Sequence, residues 1–221
     1  MDQTKITVRL HPGLAAKFDA QVKSCFIKRD AFLNQILRNE VPLLQEELEG
    51  KRLSSMANRY IARRLMRAGA KPVNLLVDKS VAASLNAAVE GAHLVRDAYV
   101  NFVLMCLRAS PDFLRYFDLP SHYTSSAFDT NLDPAPVSPL QAISDAMWDP
   151  FLYLRTAVRE RHGVGLYGLS LPEPLHAFSV YLPDEEVPGT QAHEDQIRWS
   201  EELLAEFDRV EAAAFAKGER Q

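Results

Sequence analysis

Lys5-Ile6-Thr7-Val8-Arg9-Leu10 is a stretch in which polar and apolar side chains alternate strictly. Successive side chains of a strand point to opposite faces, so this period of two predicts a β-strand. One face of that strand is aliphatic and suits a core, while the other carries two cations and a hydroxyl. His11-Pro12-Gly13 ends the stretch, and an amphipathic helical pattern follows directly.

The unit built around this strand occurs twice. When the sequence is shifted by 67 residues, residues 4–40 (repeat one) align with residues 71–107 (repeat two) without a gap. Nine aligned positions are identical, and the best block is Arg29-Asp30-Ala31-Phe32-Leu33-Asn34 against Arg96-Asp97-Ala98-Tyr99-Val100-Asn101. A gapless match over strand, helix, turn and helix indicates an internal duplication.

The spacing of apolar residues predicts two helices after the strand in each repeat. In repeat one these helices are expected near residues 13–24 and from Lys28 onward. In repeat two the strand is expected at residues 72–78, and the helices near residues 80–91 and 95–109.

Charge divides the chain into a basic front and an acidic back. Residues 1–110 hold 17 Lys and Arg against 10 Asp and Glu, whereas residues 111–221 hold 8 against 19. The front half therefore carries a net charge of +7 and the back half one of −11, which together give the −4 of the whole chain. A basic region suits a polyanion, of which nucleic acid is the usual example.

Residues 41–70, between the repeats, are predicted to be a basic helical connector. Lys51–Arg67 contains six cations and no acid. If this segment is one helix, a single face carries four arginines, namely Arg52, Arg59, Arg63 and Arg67. That face is either solvated or in contact with phosphates.

Prolines become frequent after Ser110, so residues 111–136 are predicted to be a loop-rich, Pro-rich connector. Ser138-Pro139 is typical of a helix start, with serine at the cap and proline in the first turn. The helix that follows is expected to run to about Arg161.

The acidic C-terminal domain is predicted to span residues 137–221 and to bind a partner or mediate oligomerisation. Two apolar stretches, at residues 163–171 and 175–182, indicate short strands, and residues 196–217 indicate a long helix. This domain is therefore expected to be either a small α+β region or a helical one.

A single strand, helix, turn and helix cannot bury its own apolar face, whereas two copies can pair their strands and pack four helices beneath. In this pattern residues 1–110 resemble the ribbon-helix-helix family of Arc, MetJ and CopG type, and the two copies on one chain are similar to the tandem arrangement of TraY-type proteins. The resemblance implies a mainly α fold with short strands, in which an antiparallel two-stranded ribbon lies over four helices. The ribbon forms either within one chain or between chains.

The same resemblance implies double-stranded DNA as the partner, because a β-ribbon fits the major groove. The outward strand positions are then the base-reading ones. They are Lys5, Thr7 and Arg9 in repeat one and Asn74 and Leu76 in repeat two, where the third outward position is Pro72. Lys or Arg can bind guanine, Asn can bind adenine, and Leu can contact a thymine methyl. Pro72 offers neither donor nor charge, so either the ribbon reads an asymmetric site or repeat two is mainly structural.

In this family the start of the second helix binds backbone phosphate, which implies that role for Lys28, Arg29 and Arg96. Helix N-termini favour phosphate through their dipole and their unpaired N–H groups. The alternative for Arg29 and Arg96 is an ion pair with Asp30 and Asp97 in the first helical turn, which is less favoured because adjacent helix positions do not face each other. The phosphate role is therefore preferred, with Arg52, Arg59, Arg63 and Arg67 as further phosphate contacts.

Nothing in the sequence indicates an enzyme. No two histidines have the spacing of metal ligands on a helix, and no nucleophile arrangement stands out, so we expect no catalytic residue, no metal and no cofactor. Cys25 and Cys106 are predicted to be buried thiols in a reducing compartment. No apolar run reaches the length of a membrane span and no signal peptide is evident, so a cytoplasmic protein without membrane contact is expected.

These patterns favour a sequence-specific double-stranded DNA-binding protein, either a transcriptional regulator or an accessory factor of a plasmid or other mobile element. The alternative is a protein-interaction scaffold or antitoxin-like binder, in which a degenerate ribbon-helix-helix fold is retained and the acidic half contacts a protein. An enzyme within residues 111–221 is a third hypothesis without a supporting constellation. Association of two chains is compatible with all three.

Overall fold

Two antiparallel strands form the sheet of this protein. In the computed structural model, which describes residues 2–108, 110–119 and 149–218, β1 (Gln3–Leu10) pairs with β2 (Lys71–Asp78). Thr7 lies opposite Asn74, which is its equivalent in the other repeat. The ribbon, defined as β1 with β2, therefore has an approximate two-fold axis through this pair, and it forms within one chain.

Each strand leads into two helices, at the places where the apolar spacing predicts them. In repeat one these are α1 (Pro12–Ser24) and α2 (Arg29–Glu47). The segment between α2 and β2, which we name the linker, contains α3 (Ser55–Arg67). Repeat two has α4 (Lys79–Gly91) and α5 (Arg96–Arg108). The prediction of a mainly helical chain with short strands is confirmed.

The aliphatic face of the ribbon lies on the helices. Val8, Leu75 and Val77 are fully buried, as the period of two predicts. Phe18 of α1 and Phe32 of α2 are buried with their ring centroids 6.2 Å apart. Burial of such side chains contributes about 1.5–3 kcal/mol each, so this face holds the repeats together.

The turn between the two helices has the same backbone in both repeats but different surroundings. Phe26 and its equivalent His93 both adopt a positive φ, of 58° and 53°. Around His93 the linker closes over the turn, because Asn58 Nδ2 donates to the His93 carbonyl (2.8 Å) and Leu53 N donates to the Ala92 carbonyl (3.0 Å). Phe26, by contrast, is 98% exposed.

Beyond the repeats, the chain continues into α6 (Pro111–Tyr116), whose first turn is capped by Ser110 Oγ accepting from Phe113 N at 3.3 Å. The predicted Pro-rich connector thus begins with a short helix. Frequent prolines are typical of a loop, but proline is also favoured in the first turn of a helix. The rest of that connector, and the helix start predicted at Ser138-Pro139, lie outside the described residues.

Residues 149–182 contain α7 (Leu152–His162) and a 3₁₀ helix (Glu173–Phe178). The two strands predicted at residues 163–171 and 175–182 are wrong, because the described residues there form turns and the 3₁₀ helix. Their apolar side chains, such as Leu166, Leu171 and Val180, are buried in irregular backbone rather than in a sheet. Within residues 149–218, the described part of the predicted C-terminal domain, no strand is present, so the α+β alternative is not observed there.

The chain divides into two compact units, Met1–Leu182 and Pro183–Gln221. This differs from the predicted divisions after residues 110 and 136, because residues 149–182 pack on the helices of the repeats. The 3₁₀ helix contacts both α3 and α5, and the Phe178 ring lies edge-on to His11 with centroids 5.7 Å apart.

The second unit consists of a short 3₁₀ helix (Asp184–Glu186) followed by α8 (Gln191–Gly218). Thr190 caps α8, since its Oγ1 accepts from His193 N at 3.1 Å. None of the helices that the structure describes combines the length and the apolar character needed to cross a membrane.

Candidate functional site

The outward face of the ribbon collects all five residues predicted to read bases. Lys5, Thr7 and Arg9 are exposed on β1, and they lie opposite Leu76, Asn74 and Pro72 of β2, which are also exposed. At the centre, Thr7 Oγ1 donates to Asn74 Oδ1 at 2.9 Å. The structure therefore brings Lys5, Thr7, Arg9, Asn74 and Leu76 together on one surface.

This surface is not two-fold symmetric in its chemistry. Lys5 is paired across the ribbon with Leu76, and Arg9 is paired with Pro72, so both cations belong to β1. On either side of the Thr7–Asn74 pair, one charged side chain thus faces one apolar side chain. Leu76 is 37% exposed, so an apolar side chain forms part of this outward surface.

Three side chains at the start of each second helix hold the strand of the opposite repeat. Arg29 Nη2 donates to the Asn74 carbonyl at 3.2 Å, and Arg96 Nη2 donates to the Thr7 carbonyl at 2.7 Å. Since Thr7 and Asn74 are equivalent positions, the two arginines make the same contact on either side of the axis.

The aspartates that follow these arginines also act in pairs. Asp30 Oδ2 accepts from Leu76 N at 3.1 Å, and Asp97 accepts a backbone hydrogen bond from Arg9, the equivalent of Leu76. Burial raises the pKa of the Asp97 carboxyl, and the hydrogen bond from Arg9 and the charge of Arg96 oppose that rise.

The asparagines complete the set. Asn34 Oδ1 accepts from Asp78 N at 2.8 Å, and Asn101 Oδ1 accepts from His11 N at 2.8 Å. His11 and Asp78 are again equivalent positions. The identical Arg-Asp and Asn positions of the two blocks are thus the residues that fasten each helix pair to the other repeat's strand, which we name the strand clamp.

The strand clamp corrects one prediction. Arg29 Nε lies 2.7 Å from Asp30 Oδ1, and Arg96 Nε lies 3.9 Å from Asp97 Oδ1, so ion pairs between neighbours do form. The argument that adjacent helix positions do not face each other fails here, because each arginine turns its Nη2 group to a strand and leaves Nε beside the aspartate. Both arginine side chains remain about one-third exposed, at 33% and 34%.

The other predicted phosphate contacts lie at the surface. Lys28 is exposed at the N-cap of α2, where no side chain caps the helix. Arg59, Arg63 and Arg67 are exposed along one face of α3. Arg52 is exposed too, but α3 begins only at Ser55, so the prediction that Arg52 continues that helical face is wrong.

Arg64, the remaining arginine of α3, serves the fold. Its Nη1 lies 2.8 Å from Glu173 Oε1, and its Nη2 donates to the Glu173 carbonyl at 2.6 Å. Tyr60 on the same helix meets His176 in a hydrogen bond of 3.1 Å. These contacts attach the 3₁₀ helix to α3.

A buried charged cluster was missed by sequence reasoning. Arg155 of α7 reaches α2, with Nη2 at 2.7 Å from Glu40 Oε2 and Nη1 at 2.5 Å from Glu47 Oε1. The Tyr167 hydroxyl also donates to Glu40, and Tyr167 N donates to Glu47 Oε2 at 2.7 Å. One signal of this cluster was available in the sequence. Glu40 aligns with Leu107 of repeat two, which is buried, so a carboxylate stands at a position where the other repeat has a core residue.

The two cysteines differ. Cys25 is exposed, contrary to prediction, because it follows the last residue of α1 at the turn. Cys106 is buried within α5, and burial raises the pKa of its thiol. In the part of the chain that the structure describes, no group of three or more His, Cys, Asp or Glu is placed to hold a metal ion.

Comparison of the chain with protein-family models, with curated proteins and with solved structures found no match in any of the three.

Proposed function

We propose that the chain is a sequence-specific double-stranded DNA-binding protein whose first unit contains a tandem, single-chain ribbon-helix-helix domain. The observation that carries this proposal is the ribbon's outward face, where Lys5, Thr7, Arg9, Asn74 and Leu76 are exposed together while the helices cover the opposite face. A two-stranded ribbon fits the major groove, and these side chains match the groups that base edges display there.

The ribbon's chemistry supports a target without two-fold symmetry. Arg9 suits guanine O6 and N7, whereas its equivalent Leu76 suits a thymine methyl. Lys5 likewise suits guanine, whereas its equivalent Pro72 has no hydrogen-bond donor. The half-site beside Arg9 and Pro72 is therefore expected to differ from the half-site beside Lys5 and Leu76.

Phosphate contacts are assigned to the cations that surround the ribbon. Lys28 and Arg29 lie at the start of α2 and Arg96 at the start of α5, where helix dipoles also favour an anion. Arg29 and Arg96 are proposed both to hold the opposite strand and to contact phosphate, since each donates to a strand carbonyl while about a third of its side chain stays exposed. Arg52, Arg59, Arg63 and Arg67 extend the positive surface along the linker.

The experiment is selection of bound duplexes from a random pool by the full chain, followed by sequencing. Enrichment of a short, non-palindromic motif is expected. Arg9→Ala should relax the preference at one base pair, whereas Lys17→Ala, an exposed cation of α1, should leave the motif unchanged. The proposal fails if no motif is enriched, or if Arg9→Ala selects the same motif as the unaltered chain.

A second candidate is a protein-interaction scaffold or antitoxin-like binder. It is favoured by Pro72 and Leu76, which stand where a second DNA-reading strand would carry polar groups. Retention on a DNA column distinguishes the two functions, because binding through phosphates weakens steeply with salt. A scaffold would pass through the column at low salt.

A further inference from the structure

α8 carries an exposed apolar surface that the other described residues of its own unit do not cover. Six large apolar side chains between residues 197 and 210 are 38–63% exposed; they are Ile197, Trp199, Leu203, Leu204, Phe207 and Val210. Elsewhere in the described residues, side chains of this kind are mostly buried. A contiguous exposed apolar surface of this type marks an interaction site.

The spacing places four of these side chains in one row. Trp199, Leu203, Phe207 and Val210 are separated by four, four and three residues, and an α-helix turns about 100° per residue. They consequently fall within an arc of about 80°. Ile197 and Leu204 lie beside this row, on one side of it. We name the six side chains together the α8 stripe.

Acidic residues border the stripe on both sides. Glu202 and Glu206 follow the edge next to Trp199, and Glu201 and Asp208 follow the edge next to Ile197 and Leu204. The arginines of this segment, Arg198 and Arg209, project from the opposite side of the helix. Arg198 Nη2 is also engaged within the helix by Asp195 Oδ1 at 3.0 Å.

This distribution of charge determines which kind of surface can pack on the α8 stripe. Two α8 helices packed stripe to stripe would bring the acidic borders of both chains together, and like charges at the edge of an interface suppress association. A surface bordered by lysine or arginine would instead place opposite charges along both edges. Helix-in-groove recognition uses this combination of an apolar row and flanking charges.

We propose that the α8 stripe docks on another protein, on an apolar surface that is bordered by lysine or arginine side chains. This inference does not depend on DNA binding, because the stripe belongs to the second unit and the ribbon to the first. It assigns the acidic half a specific contact surface, centred on Leu203 and Phe207.

The test uses the fluorescence of Trp199 in the full chain, with Trp148→Phe so that one tryptophan remains. Two synthetic helical peptides of equal length serve as probes. Both carry the same row of leucines, bordered by lysine in one peptide and by glutamate in the other. The lysine peptide is expected to shift the Trp199 emission to shorter wavelength with saturation, and the glutamate peptide to leave it unchanged.

The double substitution Leu203→Ser with Phe207→Ser should weaken binding of the lysine peptide at least tenfold. Its matched control is Leu152→Ser with Tyr153→Ser, which alters two exposed apolar side chains of α7. Equal binding of both peptides would overturn the proposal, as would an unchanged affinity after the Leu203 and Phe207 substitutions. Light scattering adds a third adverse outcome, namely a dimer that the same double substitution converts to monomer.

Discussion

Repeat one and repeat two have the same secondary structure and the same strand clamp, but they differ in several side chains that face outward or toward other segments. In both, the second helix begins with Arg and Asp and carries Asn four positions later in the same block, and these residues clamp the opposite strand. Three equivalent positions outside the strand clamp differ in chemistry: Arg9 corresponds to Leu76, Phe26 to His93 and Glu40 to Leu107. The strand-clamp residues are thus the same in the two repeats, while these three positions, which face outward or toward other segments, differ.

The largest expected effect concerns Glu40, which repeat one buries where repeat two buries Leu107. Arg155→Met removes the cation that neutralises Glu40 and Glu47, and an uncompensated buried charge costs about 3–5 kcal/mol of unfolding free energy. Urea unfolding of Arg155→Met and of the unaltered chain measures this loss of unfolding free energy. Arg161→Met is the control on the same helix, because its exposed pair with Asp118 contributes about 1 kcal/mol or less. Equal losses for the two variants would show that the buried cluster adds nothing.

A smaller effect is expected from breaking the strand clamp on one side and then on the other. Asn101 is fully buried and its side chain bonds to His11 N, the Arg9 carbonyl and the Asp97 carbonyl, whereas among the described residues the Asn34 side chain bonds to Asp78 alone. Because buried unpaired groups are costly, Asn101→Ala should lower the unfolding free energy by about 2–3 kcal/mol and Asn34→Ala by about 1–2 kcal/mol. Thermal and urea unfolding test this order, with Gln45→Ala, which truncates an exposed amide side chain of α2, as control. The reverse order would mean that the two sides of the ribbon are not held in the way the hydrogen bonds indicate.

The asymmetry of the ribbon's outward face can be removed by design. Replacing Pro72 with lysine and Leu76 with arginine gives β2 the cations of β1, and the selected DNA should become more nearly palindromic if the ribbon reads bases. A gained guanine contact at the Leu76 position is expected to be worth about 1–3 kcal/mol against the wrong base. Sequencing of selected duplexes measures the change. Retention of the original asymmetric motif would contradict the assignment of Leu76 to a base.

The two kinds of arginine can be separated by salt dependence. Arg63→Gln should reduce the slope of log affinity against log salt by about 0.9 without affecting stability, since Arg63 is exposed on α3. Arg96→Gln should reduce that slope and also lower the unfolding free energy, because Arg96 Nη2 donates to the Thr7 carbonyl. An unchanged slope for Arg96→Gln would restrict this arginine to the strand clamp.

The smallest effect compares the two turns. Phe26→Gly relieves a positive φ and removes an exposed ring, so the unfolding free energy should change by less than about 1 kcal/mol, in the direction of greater stability. His93→Gly relieves the same strain but deletes the contact of Nδ1 with the Leu53 carbonyl (3.0 Å), so it should destabilise the fold. Unfolding measurements in which both substitutions act alike would show that the linker does not secure the second turn.

The ribbon and the helices after it could be predicted because their signals are local. The alternation from Lys5 to Leu10 and the apolar spacing of Phe18 and Val22 are set by elements only a few residues long, and the same apolar spacing recurs in repeat two. The five outward residues followed from the same period of two. Their pairing across the ribbon followed from the antiparallel arrangement of equivalent strands.

What could not be predicted depends on contacts between distant residues. The role of Arg29 is fixed by Asn74, and the burial of Glu40 depends on Arg155, more than a hundred residues away. Residues 163–182 resemble strands in sequence because their apolar side chains are buried, yet the two prolines at 172 and 174 accompany a 3₁₀ helix. Burial alone does not distinguish a strand from an irregular segment packed on helices.

Because β1 and β2 belong to one polypeptide, formation of the ribbon is a first-order event. The unfolding midpoint of the ribbon should not change when the protein is diluted. Ribbons assembled from two chains differ, because their stability decreases as the protein concentration decreases. A titration with any ligand of the ribbon should accordingly follow a simple hyperbola down to the lowest concentrations. The two strands of the ribbon can also evolve separately, since a substitution in one strand is not copied into the other.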